Sequence, residues 1–117
     1  MCTRLAQILS EIKGTEIVGL AFNVADAFRY LEKISPDVAI LDICIPGGSG
    51  IDILKKIRTL GYPTKIIIFT HYPYPQYKKK CMELGADYFL DKYTEFEKLF
   101  RVIKKWTRQH SKEISLG

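Results

Sequence analysis

The feature that most constrains the fold is a pair of uninterrupted apolar runs in the middle of the chain. Residues 38–41 read Val-Ala-Ile-Leu, and residues 66–69 read Ile-Ile-Ile-Phe. Continuous runs of this kind are typical of parallel strands that helices cover on both faces, whereas a strand with one face in solvent alternates apolar and polar residues. Between the runs, Ile53, Leu54 and Ile57 recur at helical spacing. The pattern therefore predicts an α/β fold.

The rest of the chain repeats this alternation of helix and strand. Apolar residues at helical spacing precede a strand over residues 16–21, and Asn23 caps a second helix that Pro36 ends. Another helix over residues 74–84 leads to a short strand over 87–90. The last helix carries a buried stripe of Phe96, Leu99, Phe100, Ile103 and Trp106. We predict four strands and five helices in a flavodoxin-like, three-layer αβα arrangement with a parallel sheet.

Composition limits the number of domains and the setting. With 117 residues, of which 47% are hydrophobic, the chain can bury one substantial core, so we predict a single domain over residues 1–117 with a loosely held tail over 109–117. Cys2, Cys44 and Cys81 lack the spacing of a disulfide framework or zinc site. No signal peptide or long apolar run is present. We expect a cytoplasmic protein without a membrane partner.

Three polar residues follow or end different predicted strands. Asp42 comes after the first apolar run, Thr70 ends the second, and Lys92 follows the short strand. Because the carboxyl ends of parallel strands meet at one edge of the sheet, a carboxylate, a hydroxyl and an ammonium should share one crevice. This set suits phosphoryl transfer, in which the carboxylate attacks phosphorus while the other two groups neutralise or hydrogen-bond its oxygens.

The ordered series of motifs resembles the receiver domain of bacterial two-component response regulators. The resemblance runs through residues 36–42, 46–50, 69–70 and 84–92, which include Pro-Gly-Gly-Ser-Gly and Leu-Gly-Ala-Asp-Tyr-Phe-Leu-Asp-Lys. It implies that Asp42 accepts a phosphoryl group from a sensor histidine kinase, that Lys92 contacts the acceptor and the phosphoryl oxygens, and that Thr70 closes onto the phosphoryl group. The implied role is signal transduction in a phosphorelay and not enzymatic turnover.

The resemblance also assigns a switch and a metal site. Phe89, together with Thr70, would act as the conformational switch and present a face to an output protein; burial in the core is the other interpretation of Phe89. Asp42 and the main-chain carbonyl of Cys44 would bind Mg²⁺.

The chain departs from the receiver pattern at its beginning. Receiver domains open with an apolar strand that ends in two acidic residues, whereas this sequence is helix-like from its first residues, with Leu5, Ile8, Leu9 and Ile12 at helical spacing before Gly14. The fold is therefore expected to be N-terminally truncated and Mg²⁺ binding to be weak or absent, because the acidic pair supplies most of the metal ligands. The missing strand would lie between the strands that contain Ile17 and Val38. Either those two strands pair directly, or a second copy fills the gap in a homodimer or strand-exchanged assembly.

The chain departs from the receiver pattern a second time after Lys92. Tyr93 occupies a position where many relatives carry proline, so the direction in which the Lys92 side chain points is left open. The alternative function is a phosphorylation-independent interaction module, or pseudo-receiver, in which Asp42 is vestigial. A basic run over residues 78–80 suggests nucleic acid, but the sequence contains no helix-turn-helix motif, so we expect no nucleic-acid partner.

Overall fold

The computed structural model describes residues 7–12, 14–21, 23–34, 36–45, 48–109 and 112–116. Its helices are the described part of α1 (residues 7–10), α2 (Val24–Lys33), α3 (Gly50–Thr59), α4 (Pro75–Glu83) and α5 (Phe96–Gln109). Its strands are β1 (Thr15–Leu20), β2 (Val38–Leu41), β3 (Cys44–Ile45), β4 (Gly48–Ser49), β5 (Lys65–Thr70), β6 (Tyr88–Asp91) and β7 (Lys112–Leu116).

Five of these strands form a parallel sheet in the order β1-β7-β2-β5-β6. The short strands β3 and β4 pair antiparallel in a separate hairpin directly after β2. All four strands expected from the sequence are present, and the flavodoxin-like α/β fold is confirmed. The continuous apolar runs are the central strands β2 and β5, as their composition predicts.

Helices cover both faces of the sheet because alternate residues of the central strands point to opposite sides. On one face, Ala39, Ile66 and Ile68 share a core with buried residues of α2, α3 and α4. On the other face, Ile40 and Ile67 pack with residues of α1 and α5. Phe96, expected within the buried stripe of α5, is 36% exposed and contacts the rings of Phe69 and Phe100 from the margin of the core, with ring centroids 5.7 and 5.0 Å away.

Two side-chain caps determine where helices α2 and α3 begin. The Asn23 side chain accepts a hydrogen bond from the Asp26 N–H at 2.8 Å, which confirms the predicted cap. Ser49 accepts from the Ile51 N–H, and the Asp52 carboxylate accepts from the Ser49 N–H in return, both at 3.0 Å. Such reciprocal caps satisfy amide groups that the first turn of a helix leaves unpaired. Helix α3 therefore begins at a defined position, directly after β4.

Most of the segment over residues 109–117, for which we predicted a loose tail, has regular secondary structure where the structure describes it. Helix α5 continues to Gln109, and residues Lys112–Leu116 form β7, which lies inside the sheet between β1 and β2. The main sheet accordingly has five strands instead of four. A parallel neighbour satisfies the backbone groups that β1 and β2 would otherwise present to each other across a gap, and this gain outweighs the weak strand pattern of the segment.

The described sheet differs from the expectation that the strands containing Ile17 and Val38 pair directly. The strand that contains Ile17 pairs with β7, through Ile17 opposite Ile114, and β7 in turn pairs with β2. A homodimer or strand-exchanged assembly stays a prediction. Leu5, which we assigned to the first helix, lies outside the described residues. Within the described ranges, no helix has both the length and the apolar character needed to cross a bilayer.

Candidate functional site

Strand register brings the predicted polar residues to one edge of the sheet. Leu41 in β2 lies opposite Ile68 in β5, and Thr70 at the end of β5 lies opposite Asp91 in β6. Asp42 and Lys92 each follow directly after the last residue of their strands. All three predicted site residues therefore lie at the carboxyl edge, where parallel α/β sheets bind ligands.

Asp42 and Lys92 form an ion pair at this edge. The Lys92 Nζ lies 2.6 Å from the Asp42 Oδ2, and the side chains are 10% and 23% exposed respectively. The second carboxylate oxygen, Oδ1, accepts a longer hydrogen bond of 3.2 Å from the Cys44 N–H. The Lys92 ammonium also lies 5.8 Å from the centre of the Phe69 ring. A partly desolvated lysine held against a carboxylate can neutralise negative charge that a ligand brings to the crevice.

Thr70 is next to this pair, but its hydroxyl has a hydrogen-bond partner outside the pair. Its side chain is fully buried, and its hydroxyl accepts a hydrogen bond of 3.0 Å from the Tyr72 N–H. Its carbonyl accepts one of 2.9 Å from the Lys92 N–H, so the two residues are joined through the main chain. In this conformation the hydroxyl orders the loop after β5. Its closure onto a phosphoryl group stays a prediction.

Phe89 lies in the core. It is 8% exposed and belongs to the cluster that contains Ile68 and Cys81. Ile68 is its register partner in β5, so Phe89 and Thr70 share one face of the sheet. Burial in this cluster raises the pKa of the Cys81 thiol. The observed packing agrees with the core interpretation of Phe89, and a switch between two conformations stays a prediction.

Gly50 has a role in the site that sequence reasoning missed. A Cβ atom built on Gly50 would lie 2.0 Å from the main-chain oxygen of Asp42, so a side chain at this position would collide with the backbone of the site. The Gly50 N–H also donates to the Ile43 carbonyl at 3.0 Å. The start of α3 thus packs directly against the Asp42 loop. In the sequence the glycine reads only as part of a turn, because its close approach to Asp42 depends on how the start of α3 packs against the Asp42 backbone.

A second missed feature is a contact between the loops that carry Thr70 and Lys92. The ring of His71, which follows Thr70, lies 4.4 Å from the ring of Tyr93, which follows Lys92. The His71 Nδ1 is buried, and no described residue forms a hydrogen bond with it. Tyr93 is 75% exposed, and its ring is tilted by 45° to the imidazole. The contact joins loops that follow different strands, so sequence patterns do not reveal it.

Three other carboxylates that could be considered as metal ligands have partners elsewhere in the structure. Asp26 interacts with Asn23 and forms an ion pair with Arg29, Asp52 belongs to the cap of α3, and Asp91 accepts a hydrogen bond from the Tyr93 N–H. In the part of the chain that the structure describes, no three His, Cys, Asp or Glu side chains are grouped to bind a metal ion. Because Mg²⁺ requires near-octahedral oxygen ligands, this donor set does not fit a tightly bound magnesium ion.

Comparisons with known proteins agree with the geometry of the crevice. A family model described as the response regulator receiver domain matches residues 1–104. The chain is 36% identical over 94 residues to the transcriptional regulatory protein DltR of Streptococcus agalactiae, covering 80% of this chain and 42% of that protein. It is 32% identical over 113 residues to the sensory transduction protein LytT of Bacillus anthracis, covering 96% and 45%.

A crystal structure of a DNA-binding response regulator of the LuxR family from Staphylococcus aureus superposes with a TM-score of 0.83 at 30% identity, covering 91% of this chain and 88% of that chain. The family match covers the receiver motifs and both residues of the Asp42–Lys92 pair. It ends before β7. The chain spans about half the length of the curated relatives that it matches. By its family match, this chain belongs to the response regulator receiver domains of two-component signalling.

Proposed function

We propose that the chain receives a phosphoryl group on Asp42 and thereby transmits a signal in a phosphorelay. The observation that carries the proposal is the 2.6 Å contact between the Lys92 ammonium and the Asp42 carboxylate at the carboxyl edge of the sheet. A carboxylate nucleophile needs a nearby cation, because phosphoryl transfer brings further negative charge to the same place.

In the proposed step, an Asp42 carboxylate oxygen attacks the phosphorus of the donor. An O–P bond to Asp42 forms, the bond from phosphorus to the donor's nitrogen or oxygen breaks, and its electron pair leaves with the donor. The attacking atom is proposed to be Oδ1, because it is held less tightly than Oδ2. Oδ1 accepts a hydrogen bond of 3.2 Å from the Cys44 N–H, whereas Oδ2 lies 2.6 Å from the Lys92 Nζ. The Lys92 ammonium then neutralises charge on the acyl phosphate and its oxygens.

Magnesium is expected to bind this chain weakly. When bound in the crevice it would neutralise phosphoryl oxygens, but Asp42 is the one predicted metal ligand that would contribute a side-chain carboxylate, with the Cys44 carbonyl beside it. The chain's own charge at the site is supplied by Lys92. We therefore propose that phosphorylation in this form is slow and that the lysine has a larger share in it than the metal.

Receiver domains interact with histidine kinases and with output domains. For this chain we propose a sensor histidine kinase as the phosphoryl donor and a cytoplasmic setting. An output protein would contact the face around Phe89. There β6 packs against α4, and Phe89 shares one core cluster with Cys81 of α4 and Ile68 of β5. Phe89 itself is buried, so a partner would sense it through the packing of its neighbours.

Acetyl phosphate tests the acceptor assignment without a cognate kinase. Incubation with Mg²⁺ should add one phosphoryl mass to the unmodified chain, and Asp42→Asn should abolish the addition. The matched control is Asp91→Asn, which alters a carboxylate at the end of the adjacent strand β6 but keeps an oxygen that can accept from the Tyr93 N–H. Labelling that survives in Asp42→Asn and disappears in Asp91→Asn would contradict the assignment.

The pseudo-receiver alternative makes a different forecast. It requires that partner affinity does not depend on Asp42, so Asp42→Asn and Asp42→Glu would bind an output partner as the unmodified chain does. The receiver proposal expects the partner affinity to change when acetyl phosphate is added and expects Asp42→Asn to remove that change.

A further inference from the structure

Three tyrosines that follow β5 form a ladder of aromatic rings, Tyr72, Tyr74 and Tyr77, at the protein surface. The ring of Tyr74 lies 6.4 Å from that of Tyr72 and 5.7 Å from that of Tyr77, measured between centroids. Tyr72 is 43% exposed and Tyr74 is 50% exposed, whereas Tyr77 packs against the core cluster that contains Cys81. Clustered exposed apolar groups, unlike single ones, indicate a binding surface.

Local backbone contacts hold the tyrosine ladder in place. The Tyr72 N–H donates to the Thr70 hydroxyl at 3.0 Å, and the Tyr74 N–H donates to the Tyr72 carbonyl at 2.9 Å. Pro73 and Pro75 fix two further φ angles of the segment, and Pro75 is the first residue of α4. The exposed rings therefore lose little conformational freedom when a ligand binds them.

Positive charge lies directly beside the tyrosine ladder. Lys78, Lys79 and Lys80 are exposed on α4, and the Lys78 N–H donates to the Tyr74 carbonyl, so Lys78 lies one helical turn after Tyr74. The sequence has no Asp or Glu over residues 71–82. The ion pairs that the described residues form involve other cations, namely Arg29, Arg58, Lys92 and Lys98. The charge of the three lysines is therefore available to an anionic ligand.

We propose that the tyrosine ladder and the three lysines of α4 form a binding surface for single-stranded nucleic acid. Bases stack on the exposed rings of Tyr72 and Tyr74, and the lysine ammonium groups contact the adjacent phosphates. The surface combines aromatic rings with a row of cations, and nucleic acid supplies both planar rings and regularly spaced negative charges, whereas an acidic peptide supplies the charges alone. A helix-turn-helix motif reads duplex DNA in its major groove and is not required for this mode of binding.

A fluorescein-labelled oligothymidylate of about 12 nucleotides, added to the full chain, tests the proposal. We expect a saturable rise in anisotropy and an affinity that falls about 20-fold between about 50 and 200 mM salt, because three phosphate contacts to a single strand give a logarithmic slope of about −2. A second probe carries the same phosphates on abasic sugars and should bind at least tenfold more weakly, because it has no rings to stack.

The unmodified chain can refute the proposal without any variant. Equal affinity for the two probes, or no saturable binding of either at about 50 mM salt, would overturn it. A labelled peptide of about 12 glutamates that binds more tightly than oligothymidylate would also overturn it, because that result assigns the surface to an acidic protein.

Variants then test the location of the surface. Tyr74→Ala should lower the affinity for oligothymidylate at least about fivefold, because it removes a stacking ring, whereas Tyr74→Phe keeps the ring and should stay within about twofold. The double variant Lys78→Gln/Lys79→Gln should also lower the affinity at least about fivefold, while the matched Lys104→Gln/Lys105→Gln, at exposed positions of α5, should leave it within about twofold. Equal losses in the two double variants would overturn the proposal, because the affinity would then follow net charge alone.

Discussion

The substitution Gly50→Ala tests whether the start of α3 packs directly against the phosphoacceptor loop. The added Cβ would lie 2.0 Å from the Asp42 main-chain oxygen and 2.7 Å from its carbonyl carbon. A carbon and a carbonyl oxygen approach to about 3.3 Å at closest, so the two backbone segments must separate by about 1.3 Å. Because both clashing atoms belong to main chain, no rotamer change can relieve the contact.

The expected cost follows from two opposing terms. Overpacking of a tight contact costs about 1–3 kcal/mol, and we take the upper end because the backbone itself must move. Alanine is a better helix former than glycine by about 1 kcal/mol, which offsets part of this cost. We therefore expect Gly50→Ala to lower the free energy of unfolding by about 2 kcal/mol, which corresponds to a fall in Tm of about 8 °C.

Urea denaturation followed by circular dichroism measures this difference, and Gly61→Ala is the matched control. Gly61 has φ of 76° and no atom within 4 Å of a built Cβ, so its substitution costs backbone strain of about 1–2 kcal/mol without a collision. Only Gly50→Ala should also shift the amide resonance of Cys44, whose N–H donates to Asp42. A Gly50→Ala chain as stable as the unmodified one would refute the close packing.

Two further predictions concern regions away from the crevice. The Arg58 side chain is 27% exposed and donates hydrogen bonds to the main-chain oxygens of Thr64, after α3, and of Gly85, after α4, the latter at 2.8 Å. Arg58→Met should therefore lower the free energy of unfolding in urea by about 2–3 kcal/mol. The control Arg29→Met, at an exposed arginine, should lower it by less than about 0.5 kcal/mol. Burial raises the pKa of the Cys81 thiol above its ordinary value of 9.0, so the folded chain keeps this proton at a pH where the unfolded chain loses it. The contribution of this group to the free energy of unfolding is therefore complete below pH 9.0 and declines above it. Peptide mapping should show that iodoacetamide modifies the exposed Cys44 well before the buried Cys81.

The crevice could be predicted from the sequence because the positions of its residues follow from where individual strands end, and local patterns show those ends. Two continuous apolar runs identify interior strands, and the residues that follow such strands must lie at one edge of a parallel sheet. Asp42 and Lys92 could therefore be brought together from strand boundaries alone, and the structure places them in contact. The cap at Asn23 was equally local, since the side chain reaches only three residues ahead.

The features that could not be predicted depend on tertiary contacts between separate structural elements. Residues 112–116 have no pattern typical of a strand. They form β7 because β1 and β2, which are distant in sequence, both provide backbone groups with which they pair. Likewise, the need for glycine at position 50 arises from the Asp42 carbonyl, and the contact between the rings of His71 and Tyr93 joins loops that follow different strands. Pattern analysis gives no information on such packing.

Chemical trapping of the acyl phosphate tests the central claim most directly. After incubation with acetyl phosphate, borohydride reduces an aspartyl phosphate to homoserine, and tandem mass spectrometry locates the converted residue. We expect homoserine at position 42, with Asp37, Asp52 and Asp91 unconverted, because Asp42 is paired with Lys92 at the carboxyl edge of the sheet, whereas Asp52 belongs to the cap of α3 and Asp91 accepts a hydrogen bond from the Tyr93 N–H. Conversion at another carboxylate, or none while the chain remains folded, would contradict the assignment of Asp42 as the phosphoacceptor.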